Sequence, residues 1–153
     1  MEIVITAEPP TGDDVVAVLT AHLSFARATS PSCHVHALDL DGLLAPEITF
    51  YTARRGDELV GVGALKALSN ESGELKSMHT PTRARGAGVG AAMVEHLLAT
   101  SRERGYTTVS LETGTQEEFA SARRLYARLG FTPCVPFGEY TVNPYSTCMS
   151  IDL

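Results

Sequence analysis

Cysteine is scarce in this chain and poorly spaced for structural work. Cys33, Cys134 and Cys148 make no C-x-x-C pair, which argues against a disulfide framework or a zinc site and for reduced thiols in a cytoplasmic protein. Positive charge is also short, with 12 Lys and Arg against 18 Asp and Glu and a net charge of −6. Nucleic acids and anionic membranes both demand a local excess of Lys and Arg, so neither is an expected partner, and a neutral or cationic small molecule fits better. No stretch approaches the roughly 20 apolar residues that cross a bilayer, and the opening MEIVITAEPP has no basic start before an apolar run. A soluble, unprocessed chain is the expectation. No internal repeat or low-complexity segment is visible. What is present is 44% apolar content over 153 positions, enough for one domain, residues 1–153, to bury a core without staples.

The residue pattern alternates two periods. Met1 to Ala7 reads as a strand stopped by EPPTGDD, after which Val15, Val16, Leu19, Leu23 and Ala26 mark one face of a helix beginning near Asp13. The broken stretch TSPSCHVHALDLDGLLAPE has room for one short helix around His36 to Leu44. ITFYTARRGDELVGVGALKAL is a hairpin signal turning at Arg55, Gly56 and Asp57, and a further β-run spans Glu74 to Thr80. Three or four consecutive antiparallel strands are therefore expected. From Val89 the period becomes 3.6, with Met93, Val94, Leu97 and Leu98 on one face and Gly105 as the stop. Tyr106 to Thr113 is again β-branched, completing a β-α-β unit. Thr115 with Glu118 has the spacing of a capping box for a second helix bearing Phe119, Ala122, Leu125, Tyr126 and Leu129, ended by Gly130. STCMSIDL is the last strand.

TRARGAGVGAAM, Thr82 to Met93, puts Gly86, Gly88 and Gly90 on alternate positions before that first long helix. Main-chain N–H groups in such a turn converge on one spot, and the helix N-terminus adds about half a positive charge, so a polyphosphate can be held there without lysine. Two owners compete. Gly86, Gly88 and Ala91 fit the G-x-G-x-x-[GA] dinucleotide fingerprint, with Glu112 about 20 residues on as a ribose-binding acid. Against this NAD(P)-binding oxidoreductase reading stand the polar PTRAR between strand and glycines, the antiparallel strands before it, and the short chain left after Glu112.

The second owner follows from a resemblance. Arg85-Gly86-Ala87-Gly88-Val89-Gly90 matches the [QR]-x-x-G-x-[GA] signature of the GNAT acyltransferases, and SARRLYARLGF, Ser121 to Phe131, is similar to the A-x-x-L-Y-x-x-x-G-F segment of the same family. The strings HALDLDGL, ELKSMHT, SLETG and CVPFGEY further resemble a group of small bacterial members. The resemblance covers Glu47 to the C-terminus. It implies an α/β (α+β) fold with a mixed, mostly antiparallel central sheet of six to seven strands flanked by about four helices. It also implies acetyl-coenzyme A as cosubstrate, no metal, and an acetyl group moved to a primary amine of a small molecule or peptide by direct transfer in a ternary complex. A homodimer and a coenzyme-binding module without catalysis are left open by it.

Residue by residue, the resemblance puts the pyrophosphate on the amides of Arg85, Gly86, Ala87, Gly88, Val89, Gly90 and Ala91. The side chains of Arg83 and Arg85 stand beside that loop, and the main chain of Met78, His79 and Thr80 lies along the pantetheine arm. Tyr126 falls where many members place a tyrosine beside the coenzyme sulfur, although its spacing equally fits a packed aromatic. Glu74 and Glu112, on adjacent strands, are the candidate bases; the plainer readings are an exposed strand-end charge and a turn cap at Gly114. His79 is a third candidate. His34 and His36 lack a third ligand for a metal, and Cys134 and Cys148 lack a local histidine for covalent transfer. Where many members carry an asparagine before the tyrosine helix, this chain has Phe119. The acceptor is expected against the segment before the hairpin and the Pro133 to Pro144 loop, with Phe137, Glu139 and Tyr140 as candidates.

Overall fold

A computed structural model describes residues 2–29 and 39–153; Cys33, His34 and His36 lie outside them. Strand β1 (Ile3–Ala7) leads to helix α1 (Asp13–Thr29), a single helical turn α2 (Leu40–Leu43), and then strands β2 (Ile48–Arg55), β3 (Glu58–Ala67) and β4 (Ser72–His79). Helix α3 (Val89–Glu103), strand β5 (Thr108–Gly114), helix α4 (Ala120–Arg128) and strands β6 (Thr132–Cys134) and β7 (Ser146–Asp152) complete the chain. The seven strands form one sheet in the order β1-β2-β3-β4-β5-β7-β6, antiparallel throughout except for the parallel pair β4–β5. This is the mixed, mostly antiparallel sheet with four helices that the sequence implied, and it is not the doubly wound parallel sheet of a dinucleotide fold.

The local reasons are short-range. Arg55 pairs with Glu58 across a two-residue turn whose first residue, Gly56, has φ 62°, the position where hairpins of this length favour glycine. Between β3 and β4 the register moves from Ala64↔Lys76 to Val62↔His79, so Gly63 faces both Ser77 and Met78 in a bulge. Ser77 takes φ 54° there, the one positive φ outside glycine among the described residues. The Met78 sulfur fills the space above Gly63, where a Cβ would stand 2.8 Å from it. A bulge leaves main-chain groups unpaired, here on a strand beside the glycine turn.

The sheet is covered on both faces. Val89, Met93, Val94, Leu97 and Leu98 of α3 join Leu65, Leu75, Leu111, Tyr126 and Phe131 in the larger core cluster. Val15, Val18 and Leu19 of α1 pack with Leu43, Phe50 and Val62 on the opposite face. Each fully buried side chain of this size contributes about 1.5–3 kcal/mol, which pins the strands on either side of the β4–β5 seam.

Some local readings change. The Thr115/Glu118 capping box does not form: the Thr115 hydroxyl donates to the Pro144 carbonyl at 2.6 Å, and α4 starts at Ala120 behind a short 3-10 turn with no side-chain cap. Among the described residues the short helix spans Leu40–Leu43, capped by Asp39, whose carboxylate accepts from the Gly42 N–H, and the expected start near His36 lies outside them. Strand β6 overlaps the start of the Pro133 to Pro144 stretch that read as loop, because a three-residue edge strand containing Pro133 has no pattern to betray it.

Candidate active site

Strands β4 and β5 pair only from Ser72↔Thr108 to Leu75↔Leu111, yet β4 runs on to His79 and β5 to Gly114. The sheet opens along this seam, and two clefts occupy the opening. The larger, about 560 Å³, runs along the end of β4 and the glycine turn to α4. The smaller, about 140 Å³, is lined by Glu74, Lys76 and Glu112 and by Tyr140 and Tyr145. They share His22, Met78, Phe119, Ala122 and Tyr126. A molecule in one therefore abuts a molecule in the other across the tyrosine.

The larger cleft is lined by Met78, His79 and Thr80 at the end of β4, and by Arg85, Gly86, Gly88, Val89, Gly90 and Ala91. Ala87 is exposed at the tip of the turn. Gly86 and Gly88 both hold φ 81°, and nothing stands within 4 Å of where their Cβ atoms would be. No side chain stands directly over these two glycines. The first intrahelical bond of α3 runs from the Ala92 N–H to the Gly88 carbonyl at 3.0 Å, so the amides of Val89, Gly90 and Ala91 precede the helical ladder and face outward. Such a cradle fits a diphosphate. The arginines beside it are turned to main chain: Arg85 donates to the Thr80 carbonyl at 3.0 Å and Arg83 to that of Leu59 at 2.9 Å.

The smaller cleft is built from side chains. Glu74, only 3% exposed, is no strand-end charge; it accepts from the Tyr140 hydroxyl at 2.5 Å and from Lys76 Nζ at 3.2 Å, while Lys76 also donates to the Tyr140 oxygen at 2.8 Å. Glu112 differs. Its Oε2 is buried with no hydrogen-bond partner among the described residues, and the same holds for Ser77 Oγ. Burial first, and the neighbouring Glu74 second, push the Glu112 carboxyl up to about 7 against the opposing pull of Lys76. An unpartnered buried polar atom carries a desolvation cost of about 1–3 kcal/mol, and two of them in one cavity suit a polar ligand. Burial likewise raises the Tyr140 hydroxyl, with Glu74 adding to the effect.

At the junction, Tyr126 is 7% exposed and packs edge-on against Phe131, with ring centroids 5.8 Å apart; burial lifts its hydroxyl to about 12, so it stays protonated near neutrality. Phe119 stacks edge-on against Phe25 and covers Gly114. Across from them His22 Nδ1 lies 3.2 Å from His79 Nδ1. One nitrogen donates and the other accepts, so the accepting ring is neutral. Burial, the neighbouring His22 and Arg85 depress His79 to about 4, and burial lowers His22.

His22 and Lys76 were not singled out from the sequence. His22 follows Val18 and Leu19 at helical spacing, and Lys76 follows Glu74 by two on the same strand face, so a signal existed for both. Phe137 packs behind Tyr140 at 5.0 Å and Glu139 is exposed. Cys134 and Cys148 face each other across β6–β7 rather than the glycine turn.

Residues 15–131 match the acetyltransferase (GNAT) family. The chain is 43% identical over 140 residues to the uncharacterized N-acetyltransferase YsnE of Bacillus subtilis, covering 92% of this chain and 93% of that one. It is 39% identical over 139 residues to the uncharacterized N-acetyltransferase YedL of Escherichia coli, covering 91% and 87%. The paia N-acetyltransferase of Thermoplasma acidophilum, solved in complex with coenzyme A, shares the fold with a TM-score of 0.77 at 15% identity, over all of both chains.

Proposed function

The chain belongs to the GNAT acetyltransferase family, and from that premise we propose that it moves the acetyl group of acetyl-coenzyme A directly to a primary amine of a small molecule, with both substrates bound. The observation that carries the proposal is the meeting of two chemically different clefts at Tyr126. One is a main-chain cradle suited to the diphosphate of a carrier. The other is a small pocket with a carboxyl poised near neutrality.

Each residue then has one task. The amides of Arg85 to Ala91 hold the diphosphate, and the bulged main chain from Met78 to Thr80 holds the extended arm. Glu112 takes the proton that the bound ammonium must shed before its nitrogen can attack. A carboxyl whose proton leaves at about 7 suits that role, because a base works best with its pKa near the operating pH. As the C–N bond forms and the C–S bond breaks, Tyr126 gives its phenolic proton to the departing sulfur. Glu74, engaged by Lys76 and Tyr140, is the weaker candidate base and acts instead to hold Tyr140 over the pocket. The thiols of Cys134 and Cys148 take no part. Bound substrate in contact with Glu112 also relieves its unpartnered oxygen, which favours a cationic amine over a neutral alcohol.

Thermal melts with acetyl-coenzyme A and with NAD, followed by thiol release across a panel of amines, test this. Acetyl-coenzyme A at about 100 times its Kd should add about 2.7 kcal/mol of stability. NAD should add none. Donor stabilisation without thiol release from any amine would make the chain a coenzyme-binding module instead.

A further inference from the structure

Cys134 and Cys148 are direct partners in the antiparallel β6–β7 ladder, and Cys148 is at the same time the partner of Glu112 on β5. Direct partners project from the same face of a sheet. The two thiols therefore lie side by side, in one row with a carboxyl of the smaller cleft. Ladder geometry sets such Cα pairs about 4.5–5.5 Å apart, inside the range of about 4.4–6.8 Å that a disulfide spans. Cys148 is buried and Cys134 is half-buried on the edge strand, and neither is engaged in a disulfide. The Phe137 N–H points at the Cys148 sulfur. Behind it, the Phe137 ring packs edge-on against Tyr140, whose hydroxyl donates to Glu74.

We propose that Cys134 and Cys148 form a redox-modification site, a reversible intrachain disulfide whose formation releases the loop carrying Phe137 and Tyr140 from its anchor over the smaller cleft. With a diazene oxidant such as diamide the step balances as follows. The sulfur of Cys134, the accessible partner, adds to one nitrogen of the N=N bond, and the proton it sheds goes to the other nitrogen. The sulfur of Cys148 then attacks that of Cys134, the S–S bond forms, the S–N bond breaks, and the proton of Cys148 completes the hydrazine. Two thiols are oxidised and one diazene is reduced. Bonding to Cys134 draws the Cys148 sulfur toward β6 and away from the Phe137 N–H, so the chain of contacts from Phe137 through Tyr140 to Glu74 loosens at its root.

The test uses the wild-type protein, with no acyl donor or acceptor. After diamide, alkylation and cleavage on the carboxyl side of Glu139, which separates the two cysteines, the peptides holding Cys134 and Cys148 should appear linked and short of two hydrogens, and dithiothreitol should part them. Hydrogen exchange at the Phe137 amide should become about tenfold faster in the oxidised protein, the loss of one hydrogen bond. Pairing with Cys33, pairing between chains, or two thiols still free would overturn the site. A linked protein with unchanged exchange at Phe137 would overturn its coupling to the loop. Neither readout depends on acetyl transfer, so this proposal and the proposed function fail separately.

Discussion

Replacing Glu112 by glutamine sets stability against activity. Burial carries its carboxyl from 4.5 to about 7, a change of about 3 kcal/mol at about 1.4 kcal/mol per unit. The folded chain binds this proton more tightly than the unfolded chain does. The associated stability is fully present below about pH 4.5 and is lost as pH rises through about 7. Glutamine does not ionise, so Glu112→Gln should match the wild type in a urea melt at about pH 4.5 and exceed it by about 3 kcal/mol at about pH 8. Turnover should move the other way. Loss of a general base costs about 10²- to 10⁴-fold, and the acid limb of kcat/KM, centred near 7 in the wild type, should vanish from the variant's profile of thiol release. A variant no more stable at the higher pH, or one that keeps the limb near 7, refutes the reasoning.

Tyr126→Phe keeps the packing on Phe131 while removing the proton source, so turnover should fall about 100-fold with the Kd for acetyl-coenzyme A unchanged by calorimetry. Gly88→Ala forces an L-residue to φ 81° and puts a methyl into the cradle; it should cost about 1–2 kcal/mol of stability in denaturant melts and weaken acetyl-coenzyme A about tenfold or more. Tyr140→Phe leaves Glu74 and Lys76 buried without their shared hydroxyl, which should cost about 1–3 kcal/mol and raise the KM for the amine while leaving that for the acetyl donor alone. His79 is depressed from 6.5 to about 4, so the unfolded chain takes up its proton first and stability falls as pH drops from about 6.5 to 4; melts of His79→Asn across that window should show a flatter fall.

The glycine turn, the hairpin at Gly56 and the tyrosine helix were legible because each is written in residues close in sequence: a positive φ needs glycine, and an apolar stripe needs only one helix. The Tyr140 partner of Glu74 was not. Tyr140 lies 66 residues away, on a loop whose pattern carries no period, and nothing local distinguishes a buried strand carboxylate from an exposed one. The His22–His79 contact, 57 residues apart, was hidden for the same reason. Thr115 illustrates the opposite failure: a local signal was present, and the Pro144 carbonyl, a partner from the far side of the loop, took the hydroxyl that the helix was expected to use. The two cysteines read as solitary because a strand of three residues with a proline brings them together.

The two clefts differ in what they are made of. On the proposed function, one would grip through peptide groups, which every residue possesses, so most exchanges of side chain there would leave the grip intact. The other depends on the identity of a handful of side chains, several on a single loop. Under mutational drift the preference for the acceptor is therefore free to wander while the currency stays the same, and a redesign for a new amine should begin at Tyr140 and Tyr145 and leave the seam of the sheet untouched.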